Sequence, residues 1–340
     1  MDKALLSKTA AAMVAKGKGI LAADESSGTC EKRFNSVGVE CNEETRRAYR
    51  GLLFATPGAE QYLSGVILFD ETARQKANDG TPFPDYLARK GVIPGIKVDK
   101  GTVDIPLSPG EKVTEGLDGL AKRLEEYFKL GCRFAKWRAV ITIGNAIPTH
   151  TCIYANAHAL ARYAAACQAA SIVPMIEPEV LLDGRHSVER SEEVLESTLR
   201  ATYAALAAYN ASVEHLILKT SMVVSGKDCP RQAGVDEVAE RTVRVLKRTV
   251  PAAQPGIVFL SGGQSDEAAT AHLSAMAAMK GLPWPLTFSY SRALQNAPLK
   301  AWRGQAGNVS AAQKAFFHRA HMNGLAAQGK WKPELERQVA

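Results

Sequence analysis

The 340-residue chain predicts an α/β fold, a single (β/α)8 TIM barrel. Three observations carry that prediction. Short apolar runs rich in Val, Ile, Leu and Phe recur from end to end, as buried parallel strands require. The gaps between most of them read as amphipathic helices. Nearly every run ends in a charged or hydroxyl residue, and in a barrel those ends converge on one mouth. A doubly wound open sheet is the competing fold. It calls for a Gly-rich dinucleotide turn after the first strand, which "ILAADESSGT" does not supply.

Taken in order, "MDKALLSKTAAAMVAKGKG" reads as a short amphipathic helix ended by glycine. It lacks the long apolar core of a secretory signal, and no stretch approaches membrane-span length. The predicted strands lie in "GILAADES" (19–26), "SGVILFDET" (64–72), "IPGIKVDKG" (93–101), "CRFAKWRAVI" (132–141), "SIVPMIEPEV" (171–180), "HLILKT" (215–220), "GIVFLSGG" (256–263) and "LTFSYSR" (286–292). Among the helices, "SEEVLESTLRATYAALAAY" opens with Ser191 and two glutamates, good first-turn chemistry. "GVDEVAERTVRVLKRTV", "SDEAATAHLSAMAAMKG" and "TEGLDGLAKRLEEYFKLG" behave alike, the last two ending in glycine. With no linker or low-complexity segment, residues 1–340 form one domain, with about 326–340 as a C-terminal tail.

Composition is that of a soluble globular chain, 46% hydrophobic and 23% charged, with a net charge of +7. The basic residues are scattered, which argues against a nucleic-acid arm and leaves only weak, salt-dependent association of that kind. The six cysteines form no CxxC pair and no zinc or disulfide spacing, which points to a reducing compartment, the cytoplasm. Of the seven histidines only His318 and His321 are close, and they are expected in a surface helix away from the strand ends, so no metal is expected.

The run ends carry Asp24, Asp70 and Glu71, Lys97, Lys136 and Arg138, Glu177 and Glu179, Lys219, Ser261 and Arg292. Lys219 closes the apolar run "LILK". Burial, with Lys136 and Lys97 nearby, is expected to lower its pKa from about 10.4 toward roughly 7–8. A neutral amine attacks a ketone to form a Schiff base; the alternative is a lysine reaching into solvent. Glu177 and Glu179, two apart on a strand, face one way; mutual repulsion should raise one pKa and make it an acid, or the pair balances the lysines. Asp24 could accept a hydroxyl proton during carbon–carbon cleavage, or could cap a turn. Ser261-Gly262-Gly263 after the seventh run and Arg292 after the eighth match the usual phosphate position of such barrels. Lys32, Arg33, Lys97 and Arg138 remain for a second anionic group.

"GILAADES", "GIKVDKG", "FAKWR", "EPE", "LILK", "FLSGGQS" and "LTFSYSRALQ" stand in the order and spacing of class I fructose-1,6-bisphosphate aldolases, which the chain resembles from about residue 3 to about 325. The resemblance implies reversible cleavage of the sugar bisphosphate to dihydroxyacetone phosphate and glyceraldehyde-3-phosphate, with no cofactor or metal, in a homotetramer. It implies Lys219 as the Schiff-base lysine, Glu177 as acid/base with Glu179 in support, and Asp24 at the C4 hydroxyl. Lys136 and Arg138 would lie along the substrate. Ser261, Gly262 and Arg292 would hold the C1 phosphate, Lys97, Ser26 and Thr29 would lie toward the C6 phosphate, and Ser289 would join the substrate-binding set. Another Schiff-base barrel enzyme, transaldolase-like, or a non-catalytic scaffold on this fold are the alternatives. Three departures from the animal pattern stand out: "TSMVVSG" after the lysine in place of "PNMVTPG", Ser291 where glycine usually precedes the arginine, and no terminal tyrosine after "ELERQVA".

Overall fold

The computed structural model describes residues 1–337. Ten strands form in chain order: β1 (Gly19–Ala23), β2 (Leu63–Leu68), β3 (Ile93–Lys97), β4 (Thr102–Asp104), β5 (Lys112–Thr114), β6 (Phe134–Ile141), β7 (Val173–Val180), β8 (Ile217–Thr220), β9 (Ile257–Phe259) and β10 (Leu286–Tyr290). Eight close into a barrel in the order β1-β10-β9-β8-β7-β6-β3-β2, every pairing parallel. These are the eight runs read from the sequence. The β4–β5 pair is an antiparallel hairpin outside the barrel that the sequence reading did not foresee. The third run therefore ends at Lys97, earlier than its apolar pattern suggested.

Period-two alternation sorts each barrel strand into two faces. Inward residues Ile20, Ala22, Ile67, Phe134, Val173, Met175, Ile217 and Val258 form one apolar cluster. Leu6, Ala10, Met13 and Val14 join it from the N-terminal segment, whose helix Lys3–Met13 is capped by Asp2 and closes the lower end of the barrel. The larger cluster holds the outward faces and the helices around them. Gly95 is required by this packing: a Cβ there would stand 2.2 Å from the Phe134 ring that fills the barrel.

Helix boundaries needed more correction than strands. The helix expected to open at Ser191 begins three residues earlier, at Val188, and is capped by Ser187, whose hydroxyl accepts from Arg190 N. Ser191 is buried inside it. The segment starting "TEGLDG" turns helical only at Leu120, because Thr114 belongs to β5 and Gly116 and Gly119 take left-handed φ values. The other two expected helices form at Val235–Thr249 and Asp266–Ala277. Helix Val309–Ala326 carries His318 and His321, half-buried and away from the barrel mouth. Within the expected tail, residues Pro333–Arg337 form a 3-10 turn, and Glu336 is held by Arg319, His318 and the Trp331 indole. Its final residues 338–340 lie outside the described residues.

Candidate active site

Above the last apolar inward layer, the same alternation delivers polar groups. Ala22 is followed two residues on by Asp24, Gly95 by Lys97, Phe134 by Lys136 and then Arg138, Met175 by Glu177 and then Glu179, Ile217 by Lys219, and Thr287 by Ser289. Barrel closure brings them to one cavity of about 1060 Å³ at the C-terminal ends of the strands. Ser26, Thr29, Lys32, Arg33, Ser261, Gly262 and Arg292 line the same cavity, as does Asp70 at its edge, whereas Glu71 and Gly263 do not.

At its floor Lys219 and Lys136 are each 4% exposed and Glu177 is 3% exposed. Lys219 Nζ lies 3.0 Å from Glu177 Oε1, and Lys136 Nζ lies 3.4 Å from Glu177 Oε2 and 2.7 Å from Asp24 Oδ2. Glu177 Oε2 takes no hydrogen bond from the described residues, which leaves a buried carboxylate oxygen available to a substrate atom. Burial alone would push the Asp24 carboxyl up. The ammonium groups of Lys136 and Lys219 outweigh it and hold Asp24 below the usual carboxylate value. Burial likewise opposes the charge on Lys136, yet Asp24, Glu177 and Asp99 raise its pKa above that of an ordinary lysine.

Two electrostatic expectations fail here. The lysines do not form a cluster of bare, repelling ammonium groups: Lys136 is matched by two carboxylates, and Lys97 donates to Asp99 Oδ1 at 2.6 Å and to Asp99 O at 2.8 Å. Nor are Glu177 and Glu179 a repelling dyad. Each faces its own cation, Glu177 the two lysines and Glu179 the Arg138 guanidinium, whose Nε donates to it. The pairs run diagonally across β6 and β7: Arg138 is in register with Glu177 but pairs with Glu179, and Lys136, in register with Met175, pairs with Glu177. Asp70 and Glu71 also depart from expectation. They lie in helix Asp70–Arg74, where Asp70 pairs with Arg74 and the Tyr127 hydroxyl at the outer rim and Glu71 pairs with Arg46.

The upper wall is cationic. Among the described residues Arg292 has no hydrogen-bond partner, and burial and repulsion from Arg33 and Arg138 lower its pKa, opposed in part by Glu179. An unpaired guanidinium among like charges is a site for an anion. Arg292 starts the helix Arg292–Trp302 and sits against the Ser261-Gly262-Gly263 turn. A Cβ on Gly262 would lie 3.1 Å from Arg292 Nη2 and 3.2 Å from Glu179 Oε1, so a larger residue there would crowd both groups. The Ser261 hydroxyl is buried and accepts from Ala293 N at 3.4 Å. Ser289 is buried, and its Oγ has no hydrogen-bond partner among the described residues. Lys32 and Thr29 are exposed on helix Ser27–Asn35, with the Thr29 and Ser26 hydroxyls 3.2 Å apart.

The sequence reading missed Glu25, Asp99 and the rim residues Arg74, Arg123 and Tyr127, all of which line the cavity. Asp99 follows Lys97 by two in "KVDKG", the same spacing that marked the glutamates, and could have been found that way.

Comparison with known proteins agrees with this geometry. Residues 5–340 match the family model described as fructose-bisphosphate aldolase class-I. A probable fructose-bisphosphate aldolase class 1 of Xanthomonas campestris is 61% identical over 328 residues, which cover 96% of this chain and 98% of that protein. The cytosolic fructose-bisphosphate aldolase 4 of Arabidopsis thaliana is 53% identical over 321 residues, covering 94% of this chain and 82% of that one. The solved structure of a Plasmodium falciparum fructose-bisphosphate aldolase superposes with a TM-score of 0.95 at 47% identity, covering 97% of this chain and 95% of that chain. The chain belongs to the class I fructose-bisphosphate aldolase family, lyases that work through a lysine imine and need no metal.

Proposed function

We propose that Lys219, Glu177, Asp24 and Lys136 carry the reversible aldol cleavage of fructose-1,6-bisphosphate that this family performs. The observation behind the assignment is a buried amine 3.0 Å from a buried carboxylate at the barrel mouth. A proton passed from Lys219 Nζ to Glu177 leaves a neutral amine, which attacks the C2 ketone of the open-chain sugar. Glu177 returns that proton to the carbinolamine hydroxyl, which leaves as water, and the iminium forms. Asp24 accepts the C4 hydroxyl proton while the C3–C4 bond breaks. The electron pair flows into the iminium to give an enamine, and the aldehyde glyceraldehyde-3-phosphate departs. Protonation at C3 and addition of water to the iminium release dihydroxyacetone phosphate and the free lysine. Lys136 keeps Asp24 charged until it is needed and steadies charge on Glu177. Glu179 holds Arg138 along the substrate.

Arg292, Ser261 and Gly262 suit the C1 phosphate, with Ser289 beneath it. Lys97, Arg33, Lys32, Ser26 and Thr29 line the cavity on the side of the C6 phosphate. We further infer a cytoplasmic homotetramer. The cytosolic Arabidopsis relative and six free cysteines support the compartment. Among the described residues no helix is long and apolar enough to cross a membrane. Light scattering should return a mass about four times the 36.5 kDa chain; a mass of one or two chains removes the tetramer.

The mechanism is tested by borohydride reduction in the presence of dihydroxyacetone phosphate and a chelator, followed by peptide mass mapping. An adduct on Lys219, absent in Lys219→Met, is the expected result. An adduct on another lysine overturns the assignment.

A further inference from the structure

We propose that Ser291 is a positioning residue that sets Arg33 at the cavity wall for the second phosphate of the substrate. The proposal rests on the reading of Arg33 as a phosphate-side residue given above. Ser291 is the position where glycine would be usual, and its hydroxyl is the centre of a closed network. It donates to Glu25 Oε1 at 2.5 Å, and it accepts from Arg33 Nη1 at 3.0 Å and from Gln295 Nε2 at 3.1 Å. A serine hydroxyl has one donor and two acceptor lone pairs; the donor serves Glu25, one lone pair takes Arg33, and the other faces Gln295 Nε2, whose two hydrogens lie closest to Ala22 O and Glu25 Oε1 and reach Ser291 as a shared contact. Ser291 therefore orients its neighbours and leaves the anion to them.

Those neighbours are held tightly. The same Glu25 oxygen also accepts from Arg33 Nη1 at 2.6 Å and from Gln295 Nε2 at 2.7 Å, and Gln295 in turn donates to Ala22 O near the end of β1. The Glu25 side chain is only 8% exposed. Among the described residues the Arg33 side chain bonds to protein through Nη1 alone, which leaves its other N–H groups without a protein partner on a residue that lines the cavity. Without the Ser291 hydroxyl, Glu25 loses one donor and Arg33 loses one of its two anchors. Its guanidinium then samples more orientations before a phosphate arrives, which weakens binding of that phosphate and leaves bond cleavage at Lys219 alone.

The experiment compares steady-state kinetics on fructose-1,6-bisphosphate and on fructose-1-phosphate, which lacks the second phosphate. In Ser291→Ala the ratio of the bisphosphate KM to the monophosphate KM should rise about fivefold, with kcat on the bisphosphate within about twofold of the parent. Arg33→Ala should raise the same ratio more. Adding Ser291→Ala to Arg33→Ala should change it no further, because both act through one guanidinium. Ser291→Gly is the second variant should the alanine protein fold poorly. An unchanged ratio in both Ser291 variants, with a raised ratio in Arg33→Ala, overturns the positioning role and leaves Arg33 as a phosphate residue. An unchanged ratio in Arg33→Ala overturns that reading of Arg33 and the proposal with it. A Ser291 variant that raises both KM values equally, or that lowers kcat, also overturns it.

Discussion

Replacing Lys136 by methionine tests the electrostatic floor of the site. The change keeps a linear side chain but removes the ammonium 2.7 Å from Asp24 Oδ2 and 3.4 Å from Glu177 Oε2. At an effective dielectric constant of about 20, each contact represents a gross attraction on the order of 5–6 kcal/mol. Burial of the pair offsets much of that, and removal of one partner from a buried ion pair typically costs about 3–5 kcal/mol. The cost depends on pH. In the parent protein the Asp24 pKa is lowered, so its pairing stabilises fully above the unfolded value of about 3.9 and is lost as pH falls through the lower folded value. In the variant, burial of Asp24 is opposed by Lys219 without Lys136, so its pKa rises relative to the parent. The stability gap between the two proteins should therefore be widest at neutral pH and narrow as the pH is lowered and Asp24 takes up a proton. Urea unfolding followed by fluorescence reads this directly, because Trp137 is fully buried next to Lys136 on β6. Cleavage activity should fall at least about a hundredfold, the usual scale for a lost acid–base arrangement. A gap that stays below about 1 kcal/mol at pH 7, or that widens toward acid, refutes the reasoning.

Gly262→Ala should raise the KM for the bisphosphate about tenfold with the fold intact, since its methyl group would stand 3.1 Å from Arg292 Nη2; an unchanged KM would show that Arg292 moves away freely. Gly95→Ala should lower the thermal midpoint by several degrees, because about 1–3 kcal/mol is the usual penalty for overpacking and the Phe134 ring has no free space to move into; a midpoint within one degree, roughly, of the parent contradicts the barrel packing described. Glu336→Gln should loosen the segment after Trp331. Burial pushes Glu336 up, but its bonds to Arg319 and His318 prevail and lower its pKa, so the tether is complete above about pH 4.3 and is lost as pH falls through the lower folded value. Limited proteolysis at pH 7 should cut the variant near its C-terminus sooner than the parent, and equal rates would dismiss the tether.

How much of this was legible in the sequence differs between the barrel and its mouth. Ile217, Lys219 and their counterparts reveal strand and face because alternation is local and repeats every two residues. Asp70 and Glu71 misled because a strand end and a short helix start look alike in composition; read as a helix, Asp70 and Arg74 show the i, i+4 ion-pair spacing, whereas Arg46, which claims Glu71, lies 25 residues away with no spacing to mark it. The β4–β5 hairpin was hidden for a similar reason: its strands are three residues each, too short for a period to show. Ser191 misled as a helix start because two glutamates follow it, whereas the capping hydroxyl is that of Ser187, the last non-helical residue.

The residue types at the strand ends, their inward parity and the Ser261-Gly262-Gly263 turn before a helix were determined by the sequence alone, since each depends on neighbours a few positions away. The pairing of charges was decided only by tertiary structure. Lys219 could have faced Lys97 or Lys136 as readily as Glu177 on spacing alone. Which group it meets depends on the strand order and register of a closed barrel, and these bring Asp24, Lys136, Glu177 and Lys219 together from four separate strand ends. A Coulomb interaction varies with distances of a few ångströms, and those distances exist only after the barrel has closed.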